Sequence, residues 1–383
     1  PHSKLCHAKH YKSHHPHETS SSILIPSPFI THPQMTPKIM KGSNSVSDPP
    51  LTHSYRSLLL HELENTPHYS TERDHEVVGE CELPLIDLTS LRSERNGRER
   101  RACVEAMAKA SSEWGFFQVV NHGISHELLK EMKQEQVKLF RLPFETKVES
   151  KLLNDSYRWG TPTATSAKQF SWSEAFHVPL AKISEDSNYE EFSSLREMME
   201  KLAVAMSELA RTLAGVLAEN LGYSRRSTFP ENCDESTCFL RLNRYPPCPF
   251  APGTFGLMPH TDSDFLTILY QDQVGGLQLM KDSKWVAVKP IPGALIVNIG
   301  DLFQAWSNDI YKSVEHKVVA NYRVERYSIA YFLCPSYDST IGSCKEPSLY
   351  KKFTFGEYRK QVQDDVKNIG QKVGLSRFFS IAH

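Results

Sequence analysis

The stretch Met258-Pro-His260-Thr-Asp262-Ser-Asp-Phe265-Leu-Thr-Ile-Leu-Tyr270 runs a polar His-Thr-Asp turn straight into an apolar run of strand character. The same texture extends from Cys238 to Phe332. Short strand-prone runs alternate there with the breakers Pro246-Pro247, Gly275-Gly276 and Pro292-Gly293. Upstream, the period becomes helical. Residues 97–114 and 125–140 have helical spacing, and Phe116–Val120 forms a strand between them. From about Phe192 to Leu221 the apolar residues Leu195, Met198, Met199, Leu202, Met206, Leu209, Leu213, Val216 and Leu217 recur at i, i+3, i+4. This predicts a long amphipathic helix with Gly222 as its stop. A last helix is predicted over 355–367. Helices first and strands later predict an α+β fold.

The turn also carries chemistry. His260 and Asp262 stand one residue apart, and His316 lies in a second strand-like run, Tyr311–Val319. With 17 histidines in the chain, one His-x-Asp is expected by chance. The strand context and the order of the residues give it weight. Two imidazoles and one carboxylate on one face of a metal are the ligand set of non-haem Fe(II) sites. Three protein ligands on an octahedral ion leave three positions open, enough for a bidentate co-substrate and O2. Arg326 and Ser328, two apart on a strand, project from one face. The planar arginine fork suits a carboxylate. The expectation is an iron enzyme that consumes a dicarboxylic keto acid. A hydrolase triad is disfavoured, because the chain has no Gly-x-Ser-x-Gly elbow.

Several further motifs carry a resemblance. Leu83-Pro-Leu-Ile-Asp-Leu88, Trp114-Gly-Phe-Phe-Gln-Val-Val-Asn-His-Gly-Ile124, Asn243-Arg-Tyr-Pro-Pro-Cys248, Tyr270–Leu277 and Val297-Asn-Ile-Gly-Asp301 surround the ligand pattern. Over roughly residues 80–380 the chain resembles plant 2-oxoglutarate- and Fe(II)-dependent dioxygenases. Asp301–Asn308, Tyr311–His316, Tyr331–Tyr337 and Ser171–Phe176 make it most similar to gibberellin 2-oxidases of the C20-gibberellin subgroup.

The resemblance implies a double-stranded β-helix, or jelly-roll, core with an N-terminal helical region and flanking helices. It implies Fe(II) on His260, Asp262 and His316, and 2-oxoglutarate held by Arg326, Ser328, Tyr245 and Asn243. O2 and ascorbate as reductant follow, and the reaction would be 2β-hydroxylation of a gibberellin, which inactivates the hormone pathway. The alternatives are a gibberellin 20- or 3-oxidase, a flavonoid-type dioxygenase, and a cupin-like metal-binding module without turnover. The implied substrate walls are the loop Tyr157-Arg158-Trp159-Gly160 and the strand Phe170–Phe176. Within them Trp159, Phe170 and Trp172 face an apolar diterpenoid, and Arg158 and Lys168 await its carboxylate. Two positions depart from the pattern: Asn321-Tyr322 stands where Asn-Pro is expected, and Arg244, where His or Tyr is common, is expected to border the co-substrate site.

Composition agrees with an enzyme of small molecules. The 383 residues carry a net charge of -1, so no basic field invites nucleic acid. No apolar run approaches the roughly 18 residues of a membrane helix. Eight cysteines without a Cys-x-x-Cys pair predict reduced thiols and a cytoplasmic setting; Cys233 and Cys238 lie near each other but read the same way. The first 55 residues are rich in His, Ser, Pro and Thr and predict a disordered extension. Their Ser-rich, acid-poor character suits a transit peptide, but no arginine precedes Arg56. Expected divisions are an N-terminal region over 80–225, a core over 236–336 and a helical segment over 337–383. Ordered structure is expected from about Cys81.

Overall fold

The computed structural model describes residues 47–65, 79–92, 97–149, 153, 156–162, 164–166, 169–185, 189, 192–223, 229–230, 233, 235–250 and 253–380. The N-terminal half opens on α1 (Leu51–Asn65) and two short strands, β1 (Glu80–Cys81) and β2 (Leu85–Asp87). Next come α2 (Thr89–Arg92), α3 (Gly97–Glu113), β3 (Phe116–Val120), α4 (His126–Phe140) and α5 (Phe144–Glu149). Then β4 (Tyr157–Trp159), β5 (Glu174–Pro179) and α6 (Leu180–Glu185) lead to α7 (Ser193–Asn220). The helices start where the sequence caps them. Ser125 Oγ accepts the N–H groups of Glu127 and Leu128 at the head of α4. The apolar stripe of α7 is buried from Leu195 to Ala218. Each such leucine taken out of water contributes about 1.5–3 kcal/mol, so packing rather than propensity holds this helix.

The C-terminal half is a run of strands: β6 (Phe239–Tyr245), β7 (Phe255–His260), β8 (Leu266–Gln271), β9 (Leu277–Lys281), β10 (Lys284–Val288) and β11 (Leu295–Ile299). After α8 (Asp301–Trp306) come β12 (His316–Val319) and β13 (Arg326–Leu333). The short pair β14 (Thr340–Ile341) and β15 (Phe353–Thr354) precedes α9 (Phe355–Ile369). A capping box between Thr354 and Glu357 starts α9, and Gly370 in the left-handed region ends it.

The strands build two facing sheets. One has the order β1-β10-β9-β12-β7, the other β2-β3-β11-β8-β13-β6-β5-β4. Strands β6 to β13 divide four and four and alternate between sheets except at the β9–β10 hairpin. That is the jelly-roll expected. Leu83, Phe116, Tyr245, Leu277, Leu279, Ile296 and Val318 pack between the sheets, and α7 covers the outer face of the larger sheet through β8 and β13.

Two expectations change, and the departure at Asn321-Tyr322 gains a structural account. Residues 47–55, expected as part of a disordered tail, lead into α1 instead. Leu51 and Tyr55 bury one helical turn apart against Phe170, Trp172 and Cys248, so described structure begins well before Cys81. Residues 1–46 lie outside the described residues. The expected loop at Tyr157 is strand β4, paired with β5 at the edge of the larger sheet. At the β12–β13 turn Asn321 Oδ1 accepts from the N–H groups of Arg323 and Val324 and does the turn's work, while Tyr322 is exposed. Among the described residues no disulfide joins two cysteines.

Candidate metal and co-substrate site

His260 ends β7 and His316 begins β12, and the two stand opposite each other in antiparallel register. Their ring centroids are 4.3 Å apart. Each Nδ1 faces the backbone carbonyl two residues earlier: His260 meets Met258 O at 2.7 Å and His316 meets Val314 O at 3.0 Å. A carbonyl can only accept, so each Nδ1 carries the proton and each Nε2 presents its lone pair to the cavity. Asp262 Oδ1 lies 3.6 Å from Nε2 of His260 and 3.8 Å from Nε2 of His316. An ion about 2.1 Å from each donor spans such pairs. Among the described residues this is the one His/Cys/Asp/Glu group of ligating geometry.

The charge state fits too. Burial and the neighbouring His316 push His260 down to about 3. Burial alone would raise Asp262, but the two imidazoles, Asn298 and Thr267 hold it at about 2. At neutral pH the set is therefore an ionised carboxylate and a neutral imidazole on His260, the forms a metal requires. Asp262 Oδ2 is taken by Asn298 Nδ2 at 2.8 Å and Thr267 Oγ1 at 2.7 Å, which leaves Oδ1 for the ion.

The turn 261–264 is pinned from behind. Asp301 N–H donates to Asp262 O at 2.9 Å. A Cβ at Gly300 would sit 2.2 Å from Asp264 O, so only glycine admits this approach. The Asp301 carboxylate gathers Thr261 Oγ1, the Tyr358 hydroxyl and Lys372 Nζ. Lys372 also donates to Thr261 O and Ser263 Oγ, both at 2.9 Å.

Across the cavity, Arg326 and Ser328 on β13 pair with Tyr245 and Asn243 on β6. The Arg326 guanidinium lies 5.0 Å over the Tyr245 ring. Its Nη2 donates to Gln271 Oε1 at 2.6 Å and its Nη1 to Ser328 Oγ at 3.4 Å, while Nε is buried without a partner. No carboxylate pairs with it among the described residues. A guanidinium 2 % exposed and lacking an anion is costly, so this geometry fits a bound carboxylate. A Cβ at Gly256 would press within 2.6 Å of Tyr245, so glycine there lets the ring lie where it does. Gln136 Nε2 on α4 locks the two strands by donating to Asn243 O and Ser328 O. All seven predicted iron and co-substrate residues line one cavity.

Two family models match the chain. The 2OG-Fe(II) oxygenase superfamily matches residues 236–335, and the N-terminal region of non-haem dioxygenases of morphine synthesis matches 83–201. Rice gibberellin 2-beta-dioxygenase 6 is 60% identical over 344 residues, 87% of this chain and 96% of that protein. The chain belongs to the 2OG-Fe(II) oxygenase superfamily.

This oxygenase is similarly close to gibberellin 2-beta-dioxygenase 8 of Arabidopsis thaliana, at 55% identity over 87% of this chain and 99% of the relative. Among solved structures it resembles the rice dioxygenase for auxin oxidation, with 30% identity, a TM-score of 0.65, and 78% of this chain and 100% of that one covered. JOX2, solved with 2OG, Fe and JA, superposes with 28% identity and a TM-score of 0.66 over 88% of this chain and 100% of its own. The protein is an Fe(II)- and 2-oxoglutarate-dependent dioxygenase. No helix among its described residues is long and apolar enough to cross a membrane.

The expected substrate-wall residues that the structure describes sit apart from the ligand set. Tyr157, Arg158, Trp159, Phe170 and Trp172 do not line the cavity that holds the ligand set. Tyr157 donates its hydroxyl to buried Glu174, Trp159 packs edge-on against Phe144, and Phe170 stacks on Tyr55 of α1. Trp172 donates Nε1–H to Pro247 O. Arg158 lies exposed on β4 with Nη1 on Tyr157 O. Lys168 lies outside the described residues. β4 and β5 form the outer edge of the sheet, and their aromatics serve its packing.

Arg244 also differs from expectation. Strand alternation turns it away from Asn243 and Tyr245, onto Glu174, Asp48 and Glu325. Sequence reading missed Asn298, Thr267, Gln271, Gln136, Arg241 and Arg359. Asn298 alone left a signal, a polar residue inside the apolar strand Leu295–Ile299.

Proposed function

We propose that this oxygenase 2β-hydroxylates gibberellins, with C20 precursors as its substrates, and so inactivates the hormone pathway. The observation that carries the reading is the near full-length identity to gibberellin 2-beta-dioxygenases of rice and Arabidopsis, joined to a ligand set whose geometry fits iron and a keto acid.

In this reading His260, Asp262 and His316 hold Fe(II), and Arg326 and Ser328 take the far carboxylate of 2-oxoglutarate. Tyr245 covers the guanidinium and Asn243 keeps Ser328 Oγ in place. Iron and 2-oxoglutarate, when bound, would supply the electrons that O2 activation requires. The chain supplies position and dryness. Thr267 and Asn298 fix the Asp262 carboxylate, so its free oxygen cannot swing away from the ion. Phe116 packs edge-on against His316 at 5.2 Å and keeps water off that imidazole. The carbon held nearest the iron reacts, so the walls choose the regiochemistry. One extra carbon in an apolar pocket changes selectivity by only about 1–3 kcal/mol, so C20 and C19 forms must be compared directly.

The test is incubation with Fe(II), ascorbate, 2-oxoglutarate and single C19 or C20 gibberellins, followed by mass spectrometry. A C20 substrate should gain one oxygen at carbon 2. A product oxidised at carbon 20 would make the protein a 20-oxidase, and turnover of C19 forms alone would overturn the C20 assignment.

A further inference from the structure

Asp262 reaches the metal from a turn whose residues on either side are gripped from outside the jelly-roll. The Lys372 ammonium donates to Thr261 O and to Ser263 Oγ, both at 2.9 Å. Those two residues flank Asp262. Its third acceptor is Asp301 Oδ2, 2.6 Å away at the head of α8. A lysine ammonium has three donors, so all of them are spent on fastening this turn to α8.

The grip comes from chain far from the ligand set in sequence. Gly370 ends α9, and Gly374 opens a 3-10 turn over Gly374–Phe378. Both take positive φ, 81° and 71°, which glycine adopts at no steric cost. The link between them carries Lys372. A Cβ at Gly374 would lie 3.4 Å from Lys372 Cε and 3.6 Å from Asp301 Oδ2, so the chain reverses directly against the ion pair. Tyr358 on α9 donates its hydroxyl to the same Asp301 oxygen, and its ring lies 5.7 Å from Lys372 Nζ. The Lys372 and Asp301 side chains are only 12% and 4% exposed. Breaking so enclosed a pair leaves a buried charge behind, which is costly, so the clamp has one stable arrangement.

Two effects of Lys372 on a bound cation oppose each other. Its charge bears on His260, and a positive charge near the site repels a metal ion. Its hydrogen bonds fix Thr261 and Ser263, and with them the carboxylate carried between. Asp301 stands against the ammonium and offsets its field, so the positional effect dominates.

We propose that Lys372 is a positioning residue for the iron site, which acts through Thr261 and Ser263 to keep Asp262 beside His260 and His316. The C-terminal segment, and not the jelly-roll alone, then sets metal affinity. This holds whichever substrate is hydroxylated.

The test uses the full chain, stripped of metal, titrated with Fe(II) against a chelator and with Co(II) as a spectroscopic probe. Lys372→Met keeps the apolar stem and removes the three donors. It should weaken binding of both ions by about tenfold, the low end for residues that support a ligand, and should alter the Co(II) d–d absorption bands. Lys367→Met, at an exposed position in the last turn of α9, should leave affinity and spectrum as in wild type. The Tm of each metal-free variant is measured alongside. A lysine that only holds the fold would lower Tm and leave the affinity of the folded protein unchanged, and that outcome overturns the proposal. Tighter binding in Lys372→Met also overturns it, because repulsion would then outweigh positioning. If Lys372→Met fails to fold, Ser263→Ala removes one acceptor and leaves the ion pair with Asp301 intact. Weaker Co(II) binding with altered bands supports the proposal there, and wild-type affinity overturns it.

Discussion

Asn298 donates a 2.8 Å hydrogen bond to Oδ2 of Asp262 from the middle of β11, in the sheet opposite the one that carries both histidines. One carboxylate oxygen is thereby assigned to the protein and the other to the metal. Replacing Asn298 with Leu should weaken Fe(II) binding by about 10–100-fold, the usual cost of losing such a support. Thr267→Val should act in the same direction. Competition with a chelator measures both, and unchanged affinity in the pair would show that Asp262 needs no support.

Removing a ligand itself should do more. In His316→Ala or Asp262→Ala, iron affinity and turnover should fall by more than the hundredfold of a supporting residue, while circular dichroism stays as in wild type. A folded His316→Ala with near-normal turnover would remove His316 from the ligand set.

Arg326→Lys keeps the charge and loses the fork. KM for 2-oxoglutarate should rise by roughly ten- to a hundredfold, the worth of hydrogen bonds to a charged group, with Fe(II) affinity little changed. Loss of iron binding at constant KM would place Arg326 elsewhere in the mechanism.

His177 gives a pH dependence. Burial, then the charges of Arg241, Arg359 and Arg158, push its pKa well below the ordinary 6.5, and its buried Nδ1 has no partner. The unfolded chain takes up a proton where the folded protein does not. The stability contributed by this histidine is thus complete above about pH 6.5 and is lost as pH falls below it. The metal-free protein should lose Tm between pH 7 and pH 5, and His177→Phe should flatten that slope. An equal slope in both proteins would assign the acid sensitivity to other groups.

The N-terminal boundary can be tested by truncation. Deleting residues 1–46 should leave turnover near wild type. Deleting 1–65 removes Leu51 and Tyr55 from their cluster, about 1.5–3 kcal/mol for each, and strips Asp48 from Arg244. A measurable drop in Tm should separate the two truncations, and equal Tm values would mean α1 contributes nothing.

The ligand set was readable because residue type and strand spacing are local. His260, Asp262, Arg326 and Ser328 each sit beside a run whose period reveals its face. The supports were not readable for the same reason in reverse. Thr267, Gln271 and Gln136 acquire meaning only from strands and a helix far away in sequence, and a single chain gives no register between them. The substrate walls were not readable because Trp159, Phe170 and Trp172 look alike whether they face a ligand or a core. α1 escaped notice because only Leu51 and Tyr55 of its first two turns are buried, inside a tract coloured by His and Ser.

The Lys147 side chain is wholly inaccessible, with Nζ donating to Ser47 O, Phe140 O and Glu174 Oε2 at once. Burial pushes its pKa down, and Glu174 pulls against that. An amine so enclosed is invisible to acylating reagents and to modifying enzymes while residue 47 and strand β5, next to the sheet edge, stay docked. Its labelling rate is therefore a clock for the opening of that edge, and a cell that tags this lysine would be reading a partly unfolded molecule.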